Sequence, residues 1–249
     1  MKDKIMLIAG CSHAAGYEID GTEDSKFNRN HSFGNILASN LGYRPINTCT
    51  GGAANPSIAR GVIEWFNKEY DPGTDVFVLI GWTESSRMEI PFCRPSWYAD
   101  ANPAADWVSD SSVNFLRING GWPGGNEDDR KVIPYYQEFM VKNLEYQEIV
   151  SANCVLQVQY FLKMHQVKYL MCNTMHMFSH NTYIDFYLKQ IDNSFYMCPV
   201  DNDQAFYKRY RDAGYTNTKA RYWHHDGVPH QLYAAELYSF IKGGYADLL

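Results

Sequence analysis

The chain has 249 residues, 45% of them apolar and 20% charged, which suits one substantial buried core and excludes a disordered segment. A net charge of -6 with no basic run speaks against a nucleic-acid partner. The cysteines are scattered without a C-x-x-C pair, so no zinc site is expected, and no stretch approaches the ~20 apolar residues of a membrane span.

The chain opens on Ile5 to Gly10, an apolar and partly β-branched run that predicts a buried parallel strand. It breaks at Gly10, and Ser12 follows, placing a small hydroxyl at the carboxyl end of a sheet, where open α/β sheets hold their ligands. Residues 13–30 are polar and read as a loop. His31 to Leu41 has helical spacing and ends on Gly42 as a C-cap. Tyr43 to Cys49 predicts a second strand, leading into Gly51, Gly52 and Asn55. Asn55 suits a helix cap and Pro56 the first turn of a helix over about 56–70.

Asp75 to Ile80 is the clearest buried strand, ending on Gly81, Trp82 and Thr83, with Glu84 and Arg87 beyond. Alternating strands and helices predict a parallel sheet with right-handed crossovers. Residues 88–130 interrupt the alternation with four prolines, the tryptophans Trp97, Trp107 and Trp122, and paired glycines. This stretch is expected to be an ordered insertion or lid over the sheet edge. A helical pattern runs from Asp129 to about Met164, and Val167 to Asn173 predicts a fourth strand. Thr182 to Ile191 looks helical, Phe195 to Cys198 suits a short strand, and a final helix covers about 228–242. His224, His225, Asp226 and His230 stand just before or at the start of that helix. The expectation is a single domain over 1–249, cytoplasmic, since no leader pattern follows the first residues. Its class is three-layer α/β/α, flavodoxin-like, with a parallel sheet of about five strands.

A nucleophilic hydroxyl, a histidine to take its proton and donors for an oxyanion make up acyl-transfer chemistry. Here the sequence resembles the SGNH (GDSL-type) hydrolases. Gly10, Cys11, Ser12 and Gly16 are similar to the first block, G-D-S-x-x-x-G. Asn47, Gly52 and Asn55 are similar to the second, N-x-x-x-x-G-x-x-N. Gly81 to Glu84 stands in place of the third, G-x-N-D, and the segment around His224 in place of the last. Cys11 replaces the usual aspartate, Thr83 replaces an asparagine, and Arg221 falls where the triad aspartate belongs.

The resemblance implies a serine ester hydrolase without cofactor or metal, acting on a small-molecule or carbohydrate ester and removing a small acyl group such as acetyl. Ser12 would be the nucleophile, with the oxyanion held by the amides of Ser12 and Gly52 and helped by Thr83 or Asn55. Spacing favours His224 as base, with Asp226 capping the final helix. The rival is a triad of Asp226 and His230. His13, Trp82 and Arg87 are candidate substrate contacts, whereas Glu84 is expected at the surface. A non-catalytic module with a decayed site, or an acyltransferase, would keep the same fold.

Overall fold

The computed structural model describes residues 3–92, 114–118, 143–179 and 183–244, with 134, 136 and 138 between them. The strands β1 (Lys4–Gly10), β2 (Arg44–Asn47) and β3 (Asp75–Trp82) join later strands β6 (Lys168–Asn173) and β7 (Tyr196–Met197) in one sheet. All pairs are parallel, in the order β2-β1-β3-β6-β7. This is the flavodoxin-like order, and its direction reverses between β1 and β3, so the cleft lies beyond their carboxyl ends. β1 and β3 are buried almost end to end because helices cover both faces.

On one face Leu7, Val78, Ile80, Val155 and Tyr169 form a core with helices α4 (Asn55–Glu69) and α5 (Leu144–Met164). On the other, Met6, Ile8, Phe77 and Leu79 pack with Phe33 and Leu37 of α3 (Phe33–Leu41) and with Tyr233 and Leu237 of the final helix, Gly227–Gly244.

The loop expected over 13–30 holds two short helices, α1 (Ser12–Ala15) and α2 (Lys26–Asn30). Both are too short for periodicity to show, and their caps define them: Gly16 is left-handed after α1, and Ser25 Oγ accepts the Asn28 N–H at the start of α2. α1 lies directly on the sheet edge. Gly10 and Gly81 are paired across β1 and β3, and a Cβ on either would meet Ala14 Cβ, at 2.6 Å and 3.1 Å. This pair of glycines, the last residue of β1 and the last but one of β3, lets the turn carrying Ser12 settle on the sheet.

Within the expected insertion, β4 (Met88–Phe92) and β5 (Asn114–Ile118) form an antiparallel pair. The rest of that stretch, including Trp97, Trp107 and Trp122, lies outside the described residues. No described helix is long and apolar enough to cross a membrane.

Candidate active site

The site is built where α1 leaves β1. Ser12 opens α1, is 6% exposed, and its hydroxyl has no hydrogen-bond partner among the described residues. His13 follows, buried, with its ring centroid 4.6 Å from that of His224 and 5.1 Å from that of Tyr207. The 224 imidazole therefore lies over the first turn of α1, and the Tyr17 ring stands 6.0 Å from it on another side.

The acid beside this histidine comes from an unexpected place. His224 Nδ1 is 2.6 Å from Oε2 of Glu18, a carboxylate in the same short segment as Ser12. Glu18 also accepts the backbone N–H groups of Arg221 at 2.7 Å and Tyr222 at 2.9 Å, and it is only 2% exposed. Burial alone would raise its carboxyl, but the hydrogen bonds from His224, Tyr222 and Arg221 outweigh it and hold Glu18 below the usual carboxylate range. Burial lowers His224 against the upward pull of Glu18, with Arg87 and His225 adding to the decrease. At neutral pH the pair is thus an ionised carboxylate and a neutral imidazole. Nδ1 carries the proton and donates to Glu18, which leaves Nε2 as a base.

Both sides of this clamp are bent into the left-handed region. Glu18 has φ 61° and Trp223 has φ 64°, and neither is glycine. Such a conformation costs about 1–3 kcal/mol per residue and persists where its surroundings over-determine it. Here the bend at 223 turns the N–H groups of Arg221 and Tyr222 and the ring of His224 onto one carboxylate. The Asn217 side chain holds the Glu18 carbonyl from the same stretch, at 2.8 Å.

Gly52 is exposed, with φ 67°. Its neighbours are engaged, Gly51 N–H by Tyr17 Oη at 3.2 Å and Ala53 N–H by Thr50 O at 3.3 Å. The Gly52 N–H has no partner among the described residues.

No family model matches the chain, and no curated protein is similar to it in sequence. Similar solved structures are esterases. The psychrotrophic esterase EstA from Pseudoalteromonas sp. is 12% identical, over 97% of this chain and 98% of that one, with a TM-score of 0.44. A family two carbohydrate esterase from Clostridium thermocellum is 13% identical over 100% and 66%, with a TM-score of 0.49. A member of the lipolytic G-D-S-L family from Veillonella parvula is 10% identical over 94% and 96%, with a TM-score of 0.34. These likenesses concern the course of the chain.

Other candidates take different places. Asn55 is consumed by structure: its Oδ1 accepts Thr83 N–H at 3.0 Å, and its Nδ2 donates to Thr83 O at 3.1 Å and Ser151 Oγ at 3.0 Å. It brackets the end of β3 against α5 and has no donor left for an oxyanion. Nor is it the cap of α4, which is Ala54, with Ser57 Oγ accepting the Ala54 N–H at 2.9 Å. Thr83 is fully buried, and its Oγ1 has no partner among the described residues.

Trp82 is not a substrate contact, because it is wholly buried in the core that includes Ile80 and Phe178. The rival triad does not form. His230 is buried with Nδ1 accepting Phe33 N–H at 3.1 Å, and burial lowers it to about 3. Asp226 Oδ1 instead accepts Val228 N–H at the start of the final helix.

Arg87 is buried, with Nε donating to Glu84 Oε1 at 2.8 Å. Glu84 is thus partly drawn in from the surface, with 26% of its side chain exposed. Cys11 is buried against Thr174, with Sγ and Oγ1 3.2 Å apart.

Proposed function

We propose that this protein is a serine ester hydrolase of the SGNH type, with Ser12, His224 and Glu18 as its catalytic set. The observation that carries the reading is the Glu18–His224 hydrogen bond beside the first turn of α1. A buried carboxylate that accepts Nδ1–H and two backbone amides serves to fix one tautomer of an imidazole.

Ser12 Oγ attacks the ester carbonyl as His224 Nε2 takes its proton, and the ionised Glu18 stabilises the imidazolium. The amides of Ser12 and Gly52 are the donors for the tetrahedral oxyanion. The imidazolium then protonates the departing alcohol, leaving an acyl-enzyme. Water repeats the sequence and releases the acid. His13, Tyr17 and Tyr207 crowd the imidazole, which fits a short acyl group such as acetyl better than a long chain. Domain 1–249 acts as one unit in this reading, on a small-molecule or carbohydrate ester.

Turnover of p-nitrophenyl acetate tests the proposal. Ser12→Ala is expected to lower kcat/KM by about 10³-fold or more. Equal rates for the variant and the wild type would end the hydrolase reading.

A further inference from the structure

Arg29, Arg60 and Arg87 all pair with acids, and the most buried of the three is the one left short of partners. Arg29, with 28% of its side chain exposed, gives Nε and Nη2 to Asp24 at 2.9 and 2.8 Å and Nη1 to the Asn47 carbonyl at 3.0 Å. Arg60, at 27%, gives Nε and Nη2 to Glu89 at 3.3 and 2.9 Å and Nη1 to Glu64 at 3.2 Å. Arg87 is at 7%, and only its Nε meets an oxygen, that of Glu84 at 2.8 Å. Its Nη2 has the Met175 sulfur at 3.7 Å, and Nη1 has no hydrogen-bond partner among the described residues. Unfilled donors on a buried guanidinium are costly, because water does not complete them as it does at the surface.

The fold holds this head at the rim that carries Ser12. Arg87 follows β3, and Met175 follows β6. Thr174, just before Met175, has Oγ1 3.2 Å from Cys11 Sγ, and its carbonyl accepts the Tyr207 N–H at 2.9 Å. Cys11 adjoins Ser12, and the Tyr207 ring lies against His13. Burial is the main cause that lowers His13 and His224, and the Arg87 charge adds to the decrease at both rings. The cation is therefore within electrostatic reach of each imidazole. His13 Nδ1, buried in the same rim, also has no partner.

We infer that Arg87 receives a carboxylate carried by the substrate, so that the preferred ester is an anion. The inference rests on the hydrolase reading above and narrows it. With Nε held by Glu84, the open edge of the fork is Nη1 and Nη2, whose parallel N–H groups match the two oxygens of a carboxylate. A thioether is a weak acceptor, so little is lost when an anion displaces it from Nη2. The charge also bears on the chemistry. An uncompensated Arg87 opposes the imidazolium that His224 must become, and a carboxylate bound to the guanidinium cancels that opposition. A neutral ester leaves both the empty donors and the opposing charge as they were.

The test uses two matched pairs of esters. Ethyl hydrogen succinate and the neutral ethyl levulinate differ in the acyl half, and para-acetoxybenzoate and para-acetoxybenzamide differ in the alcohol half. Wild type is expected to favour the anion in at least one pair by about tenfold or more in kcat/KM, and the pair that shows it tells which half bears the carboxylate. In Arg87→Gln that ratio falls to near one. Glu84→Gln keeps an acceptor for Nε but removes the competing negative charge, and the ratio rises. No preference in either pair overturns the inference, as does a ratio that survives in Arg87→Gln. Where Arg87→Gln shows no melting transition, a ratio that does not move in Glu84→Gln overturns it instead. Turnover of p-nitrophenyl acetate that does not depend on Ser12 removes the hydrolase reading, whereas Ser12-dependent turnover without a preference for the anion removes this inference alone.

Discussion

His224 and His230 come from one short segment, are both buried, and use Nδ1 in opposite ways. The ring of His224 meets an ionised carboxylate through Nδ1, so its tautomer is set and its other nitrogen is left for chemistry. The Nδ1 of His230 instead accepts the Phe33 N–H, and its ring stacks on Phe33 with centroids 5.8 Å apart. One imidazole is tuned by charge at the rim of the sheet, and the other fills the core behind it. In the proposed mechanism the partner on Nδ1, rather than burial or position in the chain, separates the base from the scaffold.

The strongest way to break this contrast is Glu18→Gln. Without the carboxylate the imidazole loses its orienting acceptor, and kcat/KM for p-nitrophenyl acetate is expected to fall by roughly 10²–10⁴. Glu18 raises His224, so its loss also moves the acid limb of the pH–rate profile to lower pH. An unmoved limb would show that Glu18 does not touch the titrating base.

His230→Gln sharpens the comparison from the other side. It is expected to cost about 2–3 kcal/mol in urea unfolding, through the lost Phe33 acceptor and disturbed packing, while the acid limb stays in place. A shifted limb would return His230 to the catalytic set.

The smallest effect lies in the pH dependence of stability. Burial holds His230 at about 3 in the fold, well below its unfolded value of roughly 6.5. Between those values the unfolded chain binds the extra proton. The stabilising contribution is therefore complete above the unfolded value and is lost as pH falls toward about 3. The slope from this group is up to about 1.4 kcal/mol per pH unit, and it should vanish in His230→Gln. Unfolding measured at pH 7, 6 and 5 gives that slope directly.

The parallel sheet was legible because apolar runs such as Asp75 to Ile80 stop abruptly on glycine and polar residues. The position of Ser12 just past Gly10 was legible for the same reason. Glu18 was not, since nothing in its spacing marks a carboxylate that meets the 221–224 backbone across the length of the chain. Its only local sign is an acid set between the apolar Tyr17 and Ile19. Asn55 and Trp82 misled in the opposite way. Polar and aromatic residues at strand and helix ends suit a ligand site equally well, and only tertiary packing shows that the amide of Asn55 is spent on Thr83.

Ser12 and Glu18 belong to one short segment, whereas the His224 ring that meets Glu18 is 206 positions away in the chain. A sheet in which β1, β3 and β6 have already paired still lacks that imidazole. Until residues 221–224 dock, the carboxylate also lacks the donors that hold it below the usual carboxylate range. In the proposed mechanism, any lesion that loosens residues 221–224 is therefore expected to silence hydrolysis while the sheet remains intact.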